Sequence, residues 1–170
     1  MKLFVGIDPG IVETAIVSIG ATGREVITKA AIMGGSAKNE PRGFKRLRPE
    51  RLRLMMRGVQ CEIDTILAFR ELKDAFFAIE EPFVGVNGAT ALKTYAVFAC
   101  TIDWLQCMAE NRKIRGILTV PPTTLKKFVG AKKKESVARQ AYKLWRFESD
   151  DNNIVDAYAI AMWARDQFAG

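Results

Sequence analysis

Hydrophobic positions along the chain follow two rhythms. Short apolar runs at residues 3–7, 14–19 and 25–32 are separated by Gly-containing turns, the first ending in Asp8-Pro9-Gly10. Runs of this length bounded by Gly and Pro predict three strands in a meander. A fourth strand is predicted at residues 74–80, where an apolar run leads into Glu80, Glu81 and Pro82. A fifth is predicted at residues 116–120, where Pro121 and Pro122 break it.

The second rhythm is helical. After Pro49, the positions Leu52, Met55, Met56, Val59, Ile63, Ile66 and Leu67 share one helical face. A long helix over about residues 90–110 is apolar around much of its circumference, which predicts burial on more than one side. A short helix at 124–128, another reaching Leu144, and a last one from about Asp151 complete the pattern. The last helix carries Ile154, Val155, Ala157, Tyr158, Ile160, Ala161 and Trp163. Residues 33–46 are polar, Gly-containing and basic and predict a mobile loop. The order predicts an α/β fold: a five-stranded mixed sheet, a three-strand antiparallel meander plus two parallel strands, flanked by helices. With 170 residues and no repeat or linker, a single domain spanning 1–170 is expected.

Charge narrows the function. The net charge of +7 is concentrated in two clusters. One holds Lys38, Arg42, Lys45, Arg46, Arg48, Arg51, Arg53 and Arg57 against Glu40 and Glu50; the other holds Lys126, Lys127, Lys132, Lys133 and Lys134. Such clustering favours nucleic acid as the partner over a merely basic surface. The absence of histidine removes His-based triads, histidine general bases and most zinc sites. Cys61, Cys100 and Cys107 lack metal-ligand spacing, and their odd number opposes a disulfide framework, so they are expected in the core. No run is long enough to span a bilayer, and the start of the chain reaches Asp8 too soon for a signal peptide, so a cytoplasmic protein without a membrane partner is expected.

Hydrolytic chemistry in this chain must then rest on carboxylates, which favour hard ions such as magnesium. Asp8 ends the first strand, Glu80 ends the fourth, and Asp156 lies in the last helix. If the two strands are neighbours and Asp156 faces inward, the three acids form a triangle, and like charges so placed call for a cation. Asp-Pro-Gly alone is a common turn and Glu80 alone an ordinary surface acid. Asp156 is harder to dismiss, because Val155 and Ala157 flank it and a buried acid is costly without a metal or partner. Two ions roughly 3.5–4 Å apart suffice for phosphodiester hydrolysis without histidine.

Four stretches carry a resemblance: Gly6-Ile7-Asp8-Pro9-Gly10; Ala78-Ile79-Glu80-Glu81 with Phe83, Asn87 and Ala91-Leu92-Lys93; Thr124-Leu125-Lys126-Lys127; and Asp156-Ala157-Tyr158-Ala159-Ile160-Ala161. In order and spacing the chain resembles the RuvC-type Holliday-junction resolvases, including their phage-encoded relatives, over nearly its whole length. The resemblance implies a ribonuclease-H-like fold and a homodimer that cuts two opposed strands of a four-way DNA junction, leaving 5′-phosphates. It implies Asp8, Glu80 and Asp156 as ligands of Mg2+, with Mn2+ able to substitute and two ions per site. A fourth residue, Asp or His in the family, stands three positions before the last Asp; here it is Asn153, whose amide oxygen can bind a metal or water but cannot act as a base. Asp151 is the second candidate for that position and otherwise the N-cap of the helix. Lys126 and Lys134 match the basic residues near the scissile phosphate, with Lys127 or Lys133 as substitutes. Phe83 matches an aromatic that inserts at the junction, its alternative being a core residue. Arg46 and Arg48 in the first basic cluster are further candidate DNA contacts, and the helix at 90–110 is the candidate dimer interface.

Three rivals remain at this level. An actin-like kinase or ATPase shares a Gly-x-Asp-x-Gly loop, but 170 residues are too few for its two lobes. A catalytically inactive junction-binding module is suggested by Asn153. A ribonuclease H acting on RNA–DNA hybrids is opposed by the long apolar helix and by Phe83.

Overall fold

The computed structural model describes residues 1–23, 25–33, 49–83, 88–109, 113–131 and 135–169. The predicted basic loop beyond Met33, with Arg46 and Arg48, lies outside the described residues, as do Asn87, Lys133 and Lys134.

Five strands form one sheet: β1 (Lys2–Asp8), β2 (Glu13–Gly20), β3 (Val26–Met33), β4 (Asp74–Glu80) and β5 (Ile114–Val120). Their spatial order is β3-β2-β1-β4-β5. The pairs β1/β2 and β2/β3 are antiparallel, whereas β1/β4 and β4/β5 are parallel, so the meander and the two parallel strands are arranged as expected. The helices are α1 (Pro49–Ala68), α2 (Gly88–Met108), α3 (Pro122–Val129), α4 (Glu135–Trp145) and α5 (Asn152–Phe168).

Period-two alternation sorts the strand residues between two cores. Leu3, Val5 and Ile7 of β1 and Ala75, Phe77 and Ile79 of β4 pack with Met55, Val59, Ile63 and Ile66 of α1 and with Val97 and Leu105 of α2. Phe4 of β1, Ala15 and Val17 of β2 and Ala78 of β4 face the other way, onto α5, which α3 and α4 cover in turn. Every residue from Ile154 to Met162 is buried, the pattern of a helix enclosed on all sides. The close approach of α5 is possible because β1 has Gly6 at the crossing: a Cβ there would overlap the Ala157 carbonyl oxygen and the Ala161 amide nitrogen.

Two expectations are corrected. Pro122 does not merely break the chain after β5; it opens α3, because proline's missing N–H and fixed φ suit the first turn of a helix. The cysteines do not form part of the core. Cys61 and Cys107 are exposed and Cys100 is half-buried, because Cys61 and Cys107 each stand two positions, about 200° of helix, beyond the buried Val59 and Leu105. The long apolar helix α2 is only partly covered: Val97, Thr101 and Leu105 are buried, while Leu92 and Tyr95 are 68% and 54% exposed.

Candidate active site

The register of β1 against β4 sets the first two acids. Ile7 stands opposite Ile79 in the parallel pair, so the next residues, Asp8 and Glu80, leave adjacent strands at the same level. Alternation puts both on the face of Phe4 and Ala78, toward α5. Asp156 lies on that helix immediately before Ala157, whose carbonyl rests over Gly6, and is only 8% exposed. The three carboxylates line one cleft of about 310 Å³, together with Glu81, Phe83, Thr94, Val137 and Lys126. Each of the three also takes part in polar or electrostatic contacts within the chain.

The rest of the cleft wall follows from local structure. The turn of α3 presents Pro122, Leu125 and Lys126 to the cleft, positions that share a helical face; Lys126 and its neighbour Lys127 are both exposed. Gly130 ends this helix with φ 69°, its amide donating to the carbonyls of Lys126 and Lys127. Glu81, also in the cleft lining, accepts a 2.7 Å hydrogen bond from the Thr119 hydroxyl. Phe83 is 72% exposed at the rim, which excludes its alternative reading as a core residue.

The two candidates for the fourth position stand apart from this lining. Asp151 is the N-cap of α5, its carboxylate accepting the Asn153 amide at 2.8 Å. The side-chain nitrogen of Asn153 donates to Glu13 Oε1 at 2.8 Å. Neither residue lines the cleft. Glu13 is absent from the sequence-based set of site residues; its only signal was an acid at the start of the second strand, five residues after Asp8. Thr94 and Val137 were likewise missed, since nothing in their local pattern marks a cleft wall.

The donor chemistry fits a hard divalent ion: three carboxylates line one cleft, one of them almost buried in an apolar helix. As they stand they are a lining and not a closed ligand shell, for among the described residues no three His, Cys, Asp or Glu side chains are grouped to hold a metal. No helix among the described residues is long and apolar enough to cross a membrane.

Comparison with known proteins bears on the fold. No protein-family model matches the sequence, and no curated protein sequence matches it either. Among solved structures, the chain is similar to T. thermophilus RuvC in complex with Holliday junction substrate, with a TM-score of 0.65 at 18% identity, covering 95% of this chain and 91% of that one. It is also similar to the yeast mitochondrial Holliday junction resolvase Ydc2, with a TM-score of 0.55 at 11% identity, covering 96% of this chain and 79% of that one. The sheet order, the parallel β1/β4/β5 group and the helix laid across it give this chain the ribonuclease-H-like fold of the RuvC-type Holliday-junction resolvases.

Proposed function

We propose that this protein is a structure-selective DNA endonuclease that resolves four-way junctions by metal-dependent phosphodiester hydrolysis. The observation that carries the reading is the single cleft in which Asp8, Glu80 and Asp156 meet Lys126 and Phe83, set in a fold shared with a junction-bound resolvase. Asp8, Glu80 and Asp156 would hold the metal, most simply two Mg2+ ions for which Mn2+ can substitute. When bound, such ions supply the Lewis acidity that carboxylates alone lack, activating water and offsetting charge on the leaving oxygen.

The chain's own groups do the rest. Lys126 brings a positive charge into the cleft wall, where it attracts and orients the scissile phosphate. Phe83, exposed at the rim, is placed to stack against a base that the branch point has already unpaired, at a smaller unstacking cost than intact duplex would impose. The basic character of the chain supplies sequence-independent attraction for the phosphate backbone. Lys127, Lys133, Lys134, Arg46 and Arg48 are the further candidates for those contacts.

Symmetric resolution, with a 5′-phosphate at each nick, requires two such sites facing opposed strands, hence a two-fold homodimer. Exposed Leu92 and Tyr95 on α2 support that helix as the interface. The deciding experiment presents an end-labelled four-way junction, a matched duplex and an RNA–DNA hybrid to the protein with Mg2+ or Mn2+, using wild type and Asp8→Asn. Paired nicks on the junction, lost in the variant while binding persists, are expected. Tight junction binding without nicks in the wild type would reassign the protein as a binding module; cleavage of the hybrid would make it a ribonuclease H.

A further inference from the structure

We infer that Glu13 is a positioning residue of the active site, acting through Asn153 to fix the first turn of α5 and with it Asp156. This inference rests on the nuclease reading above and adds a residue to it.

Three observations converge on Glu13. First, its carboxylate accepts the Asn153 side-chain amide at 2.8 Å, a contact between residues 140 positions apart that ties the start of β2 to the start of α5. Second, the loop it closes is braced by hydrogen bonds and a close backbone contact. Thr14, fully buried, donates its hydroxyl to the Gly10 carbonyl at 2.8 Å and accepts the Gly10 amide at 3.1 Å. Gly10 in turn lies so close to the Glu13 carbonyl that a Cβ would not fit. Third, the register places this corner beside the chemistry. Asp8 pairs with Ala15, and Glu13, two residues before Ala15 on the same strand, shares its face toward α5.

Asn153 is therefore held at two points, its backbone amide by the Asp151 carboxylate and its side chain by Glu13. Asp156 stands three residues on, one turn along the same face. The Asp151 bond caps the helix locally, whereas the Glu13 bond ties it to β2; this helix end cannot roll without breaking the bond to Glu13, so the turn that carries Asp156 keeps its azimuth relative to the strand that carries Asp8. Asn153 then needs no carboxylate of its own to take part in the site, because it acts as the donor in a tether whose acceptor is on β2.

The test separates a hydrogen-bond tether from a charge. Glu13→Ala and Asn153→Ala each remove one end, and junction cleavage with Mg2+ should fall about 10–100-fold in kcat with junction affinity unchanged, the size typical of groups that orient a ligand. The double variant should be no slower than either single variant. Glu13→Gln keeps an acceptor for the Asn153 amide and should recover most of the rate lost in Glu13→Ala. In parallel, amide hydrogen exchange of DNA-free protein should show faster exchange in the first turns of α5 in both alanine variants and not in Glu13→Gln, with the rest of the sheet protected as in wild type. Exchange is read whether or not the wild type cuts junctions, so a failure of the nuclease reading is distinguishable from a failure of the tether. Wild-type cleavage by Glu13→Ala, or unchanged exchange in α5, would overturn the inference. Glu13→Gln as slow as Glu13→Ala would overturn it too, since the negative charge and not the tether would then be what matters.

Discussion

Gly6 of β1 and Ala157 of α5 meet backbone to backbone: a methyl group on Gly6 would overlap the Ala157 carbonyl oxygen. The contact holds the helix that carries Asp156 against the strand that carries Asp8. Gly6→Ala must push α5 outward, and overpacking of this kind costs about 1–3 kcal/mol. Because the atoms opposing the new methyl are main-chain, no rotamer change can relieve it. Urea unfolding should show a lowered midpoint, and cleavage should fall more than stability alone explains, since Asp8 and Asp156 are drawn apart. A variant as stable and active as wild type would show that α5 is not fixed at this crossing.

Neutralising Asp8 or Asp156 should abolish cleavage while leaving the fold intact. Removing groups that only orient ligands commonly costs 10–100-fold, so removing a ligand should cost more than about 100-fold. The same variants report on the metal by linkage. An ion bound only by the folded protein, at a hundred times its Kd, adds about 2.7 kcal/mol to stability. Mn2+ or Mg2+ should therefore raise the thermal midpoint of wild type and not that of Asp8→Asn or Asp156→Asn. Equal shifts in all three would place the bound ion elsewhere.

Phe83 and Lys126 line the same cleft but should fail in different ways. Phe83→Ala removes an exposed side chain, so unfolding free energy should change by no more than about 0.5 kcal/mol. Loss of a base-stacking platform is worth about 1–3 kcal/mol, and it should weaken junction binding with little effect on duplex binding. Lys126→Ala should weaken both substrates alike and reduce the slope of log K against log salt concentration by about one. Gel-shift titrations at several salt concentrations distinguish the two. A uniform loss in Phe83→Ala would argue against insertion at a branch point.

The parts of the candidate site that are legible in the sequence are those whose placement is fixed by local pattern. Asp8 and Glu80 end apolar runs, and the alternation that marks a strand also dictates the face on which its last residue emerges. Asp156 stands out as an acid inside an apolar helix, and it lies within the stretch Ile154–Met162 in which every residue is buried. Tertiary docking decided what local pattern could not. Nothing near Asn153 in the sequence announces Glu13, because their bond exists only once α5 lies across β2. The cysteines differ from expectation for a related reason: an apolar neighbourhood does not say which side of its helix a residue occupies, and Cys61 and Cys107 occupy the exposed side. Pro122 reads in the sequence as a break because proline ends the apolar run of β5, while its place in the first turn of α3 depends on the helix that follows.

The helix that carries Asp156 should make the protein sensitive to alkali through Tyr158, two residues beyond it. Its ring is enclosed, stacked on Phe147 with centroids 3.9 Å apart, and its hydroxyl donates to the Gly23 carbonyl at 2.9 Å. Burial raises the hydroxyl above its usual pKa of 10.0, and the nearby Arg165 charge opposes that shift only in part. The folded state therefore holds the proton more tightly than the unfolded chain does. Its contribution to stability is complete below pH 10 and is lost as the pH rises from there through the raised value. Tyr158→Phe removes this titration together with one hydrogen bond, at a cost near neutral pH of about 1 kcal/mol, or up to about 3 kcal/mol if the Gly23 carbonyl is left without a partner. Unfolding free energies measured from pH 8 to 11 should show wild type starting higher and declining more steeply, so that the two curves approach each other in alkali. Parallel curves would mean that Tyr158 ionises as easily in the folded protein as in the unfolded one, and that its burial does not govern its proton.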